Sequence, residues 1–222
     1  MHHRAFWGLN AQCGSNIKGN LRLQISNSGI IDTFPEWFWN ISSSLFYLNV
    51  SHNKLSGVLP KSLPSIKTMN LGTWDFSFNN FSGQLPPFPK LYSLFISNNM
   101  PSGSVSSFCA TSPMFFTYLD LSRNSLAEPL PNYWEKFQSL KVLNLTNNSL
   151  TGRIPSLTLC TSLKFIDFGD NNIEGTLPTW VGQAYPQVYV IYYLVKYWIS
   201  LQTILQEKYL TASVTYQHFQ IR

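Results

Sequence analysis

The 222-residue sequence predicts an α/β-type repeat solenoid with a parallel concave β-sheet and a mostly irregular or 3-10 convex side. Three observations predict it. One frame, anchored on an asparagine, recurs seven times at spacings of 25, 26, 20, 25, 24 and 23 residues. Inside each unit apolar residues alternate over a short run, the pattern of a strand with one buried face. Charged residues make up only 11% of the chain, so its polarity comes from amides and hydroxyls.

The units are, in order, LQISNSGIIDTFP (23–35), LNVSHNKLSGVLP (48–60), WDFSFNNFSGQLP (74–86), LFISNNMPSGSVS (94–106), LDLSRNSLAEPLP (119–131), LNLTNNSLTGRIP (143–155) and IDFGDNNIEGTLP (166–178). In the second unit Leu48 and Val50 alternate inward on a short strand. Leu55 and Leu59 continue inward after the turn, Gly57 supplies a permissive backbone and Pro60 closes it. One such coil cannot bury its apolar face. Stacked coils bury it against one another and align their strands into a parallel sheet.

The sixth position reads Ser28, Asn53, Asn79, Asn99, Asn124, Asn148 and Asn171. A carboxamide both donates and accepts hydrogen bonds. Buried where the chain leaves the strand, it satisfies backbone groups that would otherwise be costly orphans. Asn53, Asn79, Asn99, Asn124, Asn148 and Asn171 therefore read as a structural ladder. Several units depart from the frame. Ser28 takes the first rung, Asp32 and Glu128 replace glycine, and Pro101 and Ser106 stand where Leu and Pro are expected. The short spacing into Asn99 implies a clipped coil.

This frame resembles the plant-specific leucine-rich repeat, LxxLxLxxNxLxGxIP, with about 24 residues per unit. The resemblance covers residues 21–182. Longer phrases, LQISNSGIIDTFPEWFWNISSSLFYLNVSHNKLSG and LKVLNLTNNSLTGRIP, resemble the ectodomains of plant receptor-like proteins of the disease-resistance and elicitor-receptor type. The resemblance implies a leucine-rich repeat horseshoe, non-enzymatic, that recognises an extracellular peptide, protein or glycan and signals through a co-receptor kinase. It also implies a place at the cell surface, with the repeats outside the plasma membrane and one membrane helix in the full-length form. The paired cysteines that cap such horseshoes are missing at both ends, so the chain reads as a fragment. A soluble apoplastic inhibitor of microbial wall-degrading enzymes uses the same repeat and is the alternative, as is a truncated product without activity of its own.

Strand alternation sends one set of side chains to the concave face. Its middle row is Gln24, Asn49, Asp75, Phe95, Asp120, Asn144 and Asp167, and the row before it is Arg22, Tyr47, Thr73, Ser93, Tyr118, Val142 and Phe165. Two positions further along each strand come His52, Phe78, Asn98, Arg123, Asn147 and Asp170. Aromatics beside carboxylates and arginine make a plausible recognition surface, against a reading in which the same face is simply solvated. The candidate ligand-binding residues are Tyr47, Asp75, Phe95, Tyr118, Asp120, Arg123, Phe165 and Asp167. Five N-x-S/T triplets mark Asn40, Asn49, Asn80, Asn144 and Asn147 as glycosylation candidates.

Other chemistry is poorly supported. Residues 21–182 hold 10 Lys+Arg against 9 Asp+Glu, so the overall +5 comes from the flanks, and no basic stripe for nucleic acid is visible. Cys13, Cys109 and Cys160 have no metal spacing; Cys160, and less clearly Cys109, read as buried small hydrophobes. No nucleophile motif, phosphate loop, metal set or cofactor site appears, and Asp75, Asp120 and Asp167 come from alternate coils, too far apart for a paired acid/base site. Three segments are expected. They are a flank at 1–20 (a degenerate first repeat or cap), about seven repeats at 21–182, and a divergent tail at 183–222. No apolar leader opens the chain. The tail carries an apolar run at 188–205 broken by Lys196, readable as a weak membrane span, as a cap on the last coil, or as a divergent gene end that replaced further repeats. The last is preferred, with a cap as its structural outcome.

Overall fold

A computed structural model describes residues 21–42, 44–63, 71–111, 115–132, 134–176, 178, 180 and 189–191. The flank at 1–20, with Cys13, and most of the tail lie outside these residues, as does the apolar run at 188–205 apart from Tyr189–Ile191. No helix among the described residues is long and apolar enough to cross a membrane.

The chain winds as a solenoid with one strand per coil on its concave side. These strands are β1 (Leu21–Gln24), β2 (Leu45–Asn49), β4 (Gly72–Asp75), β6 (Leu91–Phe95), β8 (Tyr118–Asp120), β10 (Val142–Asn144), β12 (Phe165–Asp167) and β13 (Tyr189–Ile191). They form an eight-stranded sheet in that order, and each pairing is parallel. A second parallel sheet joins β3 (Ser56–Val58), β5 (Asn80–Gly83), β7 (Met100–Gly103), β9 (Ser125–Pro129) and β11 (Ser149–Thr151). The rest of each coil is irregular or briefly helical: α1 (Glu36–Ser42), α2 (Ser106–Thr111) and a 3-10 turn at Trp134–Lys136.

Between the sheets runs a single core. Leu48, Trp74, Leu94, Leu119, Leu143 and Ile166 point into it from successive strands and are buried. Behind them phenylalanines replace many of the expected leucines. Phe76, Phe88, Phe108, Phe116 and Phe137 touch in sequence at centroid separations of 6.3, 6.2, 5.7 and 6.2 Å, ending on Trp134 at 5.5 Å. Each such pair adds about 0.5–1.5 kcal/mol beyond the area it buries. The spine therefore couples coils that share no sequence contact.

The sixth-position asparagines lie along the inside of the turns. In each rung Nδ2 donates to the third-position carbonyl of the preceding coil and to two carbonyls of its own. For Asn79 these are Val50, Phe76 and Ser77 at 3.0, 3.0 and 3.2 Å. Oδ1 accepts the eighth-position amide of the preceding coil. Asn53 takes Ile30, Asn79 takes Leu55, Asn99 takes Phe81, Asn148 takes Leu126 and Asn171 takes Leu150, all at 3.0 Å. Ser28 is too short to form such a rung; it is exposed, and its hydroxyl donates to Ser26 O.

One rung is broken. The residue opposite Asn124 in the preceding coil is Pro101, which has no N–H. Asn124 still donates to Ile96, Leu121 and Ser122, but its Oδ1 is buried without a partner. The departure from the frame at Pro101 thus has a defined physical result, an orphan acceptor in the next coil.

The glycine position of the frame also has a steric basis. Gly57, Gly83, Gly103, Gly152 and Gly175 all hold φ between 75° and 101°. Glu128 occupies the same turn at φ 73°, a conformation that costs a non-glycine residue about 1–2 kcal/mol. Glycine would remove that cost but lose more chain entropy on folding. Glu128→Gly is therefore expected to raise stability by up to about 1 kcal/mol, read as a higher urea midpoint with an unchanged slope.

Candidate recognition face

The concave sheet carries two rows of outward side chains in strict register. Gln24 opposes Asn49, then Asp75, Phe95, Asp120, Asn144 and Asp167 follow strand by strand. In the outer row Arg22 opposes Tyr47, then Thr73, Ser93, Tyr118, Val142 and Phe165. Neighbouring members of a row are about 4.8 Å apart. Tyr47, Asp75, Phe95, Tyr118, Asp120, Phe165 and Asp167 therefore share one face, and all are half-buried. The Arg22 guanidinium lies 4.3 Å from the centre of the Tyr47 ring, and Tyr118 meets Tyr92 edge to face at 5.7 Å.

Arg123 differs. Its strand ends at Asp120, so Arg123 stands in the turn beyond rather than on the strand row, exposed and at φ 52°. The same holds for every coil: Asn27, His52, Phe78, Asn98, Arg123, Asn147 and Asp170 all hold φ between 50° and 55°. Asn, Asp and His tolerate this left-handed conformation comparatively well. Phe78 and Arg123 do not share that tolerance. Both are exposed, and the Phe78 ring stacks on His52 at 4.1 Å with an interplanar angle of 13°.

The middle row has a second job that periodicity alone does not reveal. Asn49, Asp75, Asp120, Asn144 and Asp167 each accept, through Oδ1, the backbone N–H two residues on. The donors are Ser51, Ser77, Ser122, Thr146 and Gly169, at 3.0, 2.9, 3.0, 3.2 and 2.8 Å. This is an Asx turn that closes each strand. The signal was present in the sequence as a repeated Asx-x-(Ser/Thr/Gly) phrase. The one amide oxygen of each asparagine and one carboxylate oxygen of each aspartate are thus committed to the backbone, and each aspartate keeps its second oxygen outside the turn.

Asp167 bears an electrostatic penalty on this face. Burial raises its pKa above the ordinary 3.8, and the charges of Asp170 and Asp120 add to this; the Gly169 N–H and the Thr146 hydroxyl, 2.9 Å away, pull the other way. The folded chain therefore takes up this proton at higher pH than the unfolded chain, so acidification through the folded pKa favours folding. Asp167→Asn keeps the acceptor oxygen and removes the charge. It is expected to unfold at a higher temperature than wild type near neutral pH, with the difference closing as pH falls towards about 4. A difference that stays constant across this range would count against the assignment.

The sequon asparagines occupy different environments. Asn40 lies on α1 and is exposed; Asn80 opens β5 and is exposed. Asn49 and Asn144 are half-buried on the concave face, and Asn147 is exposed in the left-handed turn three residues after Asn144. Cys109 and Cys160 are free thiols buried in the core. Burial pushes the Cys109 thiol far above its ordinary range and Cys160 up to about 12, and the Cys160 thiol donates to Trp134 O at 3.2 Å. Neither is a nucleophile at neutral pH. Among the described residues no three His, Cys, Asp or Glu side chains stand together as a metal site.

Fold and face together define a leucine-rich repeat solenoid. The profile of the family described as Leucine Rich Repeat matches residues 44–66, 115–137, 139–159 and 162–184. Receptor-like protein EIX2 of Solanum lycopersicum is 32% identical over 194 residues, which cover 76% of this chain and 19% of that protein. Receptor-like protein 35 of Arabidopsis thaliana is 31% identical over 168 residues, covering 72% of this chain and 18% of that protein. The ectodomain of the Arabidopsis receptor kinase HAESA, solved with an extended IDA peptide hormone ligand, superposes with a TM-score of 0.62 at 26% identity, covering 78% of this chain and 29% of that one. The chain belongs to the plant leucine-rich repeat receptor-like proteins. It spans about a fifth of the length of these two relatives.

Proposed function

We propose that the chain is a non-enzymatic recognition unit of a plant cell-surface receptor-like protein, binding an extracellular peptide or protein through its concave sheet in defence or developmental signalling. One observation carries this reading. Tyr47, Phe95, Tyr118 and Phe165 stand half-buried on one face of the sheet among Asp75, Asp120 and Asp167, with Arg123 exposed in the turn beyond. Aromatic and arginine side chains are the residue types that dominate protein recognition. A co-receptor kinase is the partner this reading calls for, and the cell surface its location. The sequon asparagines are its glycan sites, with Asn49 and Asn144 on the recognition face itself.

Selection of a random displayed peptide library on the 222-residue chain tests it. Selected peptides are expected to lose about tenfold or more in affinity on a Phe95→Ser/Asp120→Ser/Arg123→Ser chain of unchanged circular dichroism. Peptides that bind the variant as well as the wild type would place recognition away from the concave face.

A further inference from the structure

Where the concave strands begin, a line of residues runs along the rim of the sheet. Thr117 N donates to Tyr92 O, Lys141 N to Thr117 O and Lys164 N to Lys141 O, each at 2.8 Å. These bonds stitch one position of four successive coils into a line about 14 Å long. Tyr92 is 38% exposed and meets Tyr118 edge to face. Just outside, the Lys90 ammonium lies 5.4 Å from the ring centre of Phe115, itself 40% exposed. Lys90 and Lys164 are exposed, and Lys141 is half-buried.

The rim is one-signed. Its segments 90–93, 115–118, 139–142 and 162–165 contain Lys90, Lys141 and Lys164 and no Asp or Glu. The nearest carboxylates along the strands, Asp120 and Asp167, are three residues further into the face, about 10 Å away. That distance is about one Debye length at physiological salt. A positive lane bearing aromatic rings thus borders a negative lane.

We propose that this rim docks an acidic peptide segment of a partner protein. Its carboxylates pair with Lys141 and Lys164, and an apolar side chain packs between Tyr92, Tyr118 and Phe115. A line of this length holds about four residues of extended chain. The tyrosine rings pack edge to face at 60°, which makes an angled apolar surface for a side chain and not a flat platform for sugar faces. The inference rests on the recognition reading above, but it places the contact on the rim and gives it a charge.

Fluorescence anisotropy with the full chain tests it. The probes are a fluorescein-labelled octapeptide of glutamates interrupted by leucine, and its lysine-for-glutamate counterpart. The acidic peptide is expected to bind, to weaken steeply between low and about 0.5 M salt, and to lose about tenfold or more on Lys141→Ser/Lys164→Ser. Tyr92→Ser is expected to weaken it as well, while the Phe95→Ser/Asp120→Ser/Arg123→Ser chain retains it. Equal binding of the lysine peptide, or unchanged affinity in the double-lysine variant, overturns the proposal. Equal displacement by polygalacturonate at matched charge overturns the assignment to peptide and makes the rim a general polyanion site. Loss on the concave variant with retention on the rim variant overturns the rim and leaves the concave reading standing.

Discussion

Asn79→Ala is expected to destabilise the chain by about 2–4 kcal/mol, measured by urea unfolding. The substitution removes four hydrogen bonds at once and leaves the buried Leu55 N–H without an acceptor, while the Val50, Phe76 and Ser77 carbonyls each keep a second donor in Asn53 Nδ2, Asn99 Nδ2 and His52 N. The orphaned amide costs about 1–3 kcal/mol, and the three bonds lost from carbonyls that keep another donor add about 1 kcal/mol between them. The control is a neighbouring rung. Asn124→Ala should cost about 1 kcal/mol less, because the Asn124 oxygen already lacks a donor. Equal losses at the two rungs would show that the Leu55-type amide bond contributes nothing. No loss at Asn79 would remove the ladder from the account of stability altogether.

Pro101→Leu is expected to stabilise the chain, against the usual direction for a core substitution. It restores an N–H opposite Asn124 Oδ1 and puts the frame's own residue in the site that Leu55, Leu126 and Leu150 fill elsewhere. Satisfying the orphan is worth about 1–3 kcal/mol. Losing proline's constraint on the unfolded chain returns about 0.5–1 kcal/mol. The net gain is about 1 kcal/mol, or a rise of about 2–4 °C in thermal midpoint for a chain of this size. Combining Pro101→Leu with Asn124→Ala separates the causes. If the gain survives loss of the amide, it comes from packing and not from the repaired rung.

The sequence made the ladder and the concave strands legible because both depend on residue types that recur in one phase. Leu48, Asn53 and Leu55 fix a coil almost unaided. The second sheet was not legible. Its strands, such as Ser56–Val58 and Asn80–Gly83, are short, polar and glycine-bearing, with no alternation to announce them. They exist because stacked coils bring like turns to a repeat distance that suits parallel pairing. The middle row was legible as exposed but not as structural, because Asp75 or Asp120 on a solvent-facing position looks free until its oxygen is seen to accept the Ser77 or Ser122 amide. Arg123 was placed on the strand because an alternating pattern does not show where the strand stops. Phe78 and Arg123 in left-handed turns break a local backbone preference, and sequence reasoning is expected to fail at such points.

The Asx turn has a consequence for any chain glycosylated at Asn49 or Asn144. Amidase removal of an N-linked sugar leaves aspartate where asparagine stood. At most other positions in a fold that exchange would demand a new hydrogen-bonding arrangement. Here Asp75, Asp120 and Asp167 already make the same turn with a carboxylate oxygen. Deglycosylated material would therefore keep its strand ends while the face gained up to two negative charges. An affinity measured before and after such treatment would report the electrostatics of the sheet as much as the loss of the sugar.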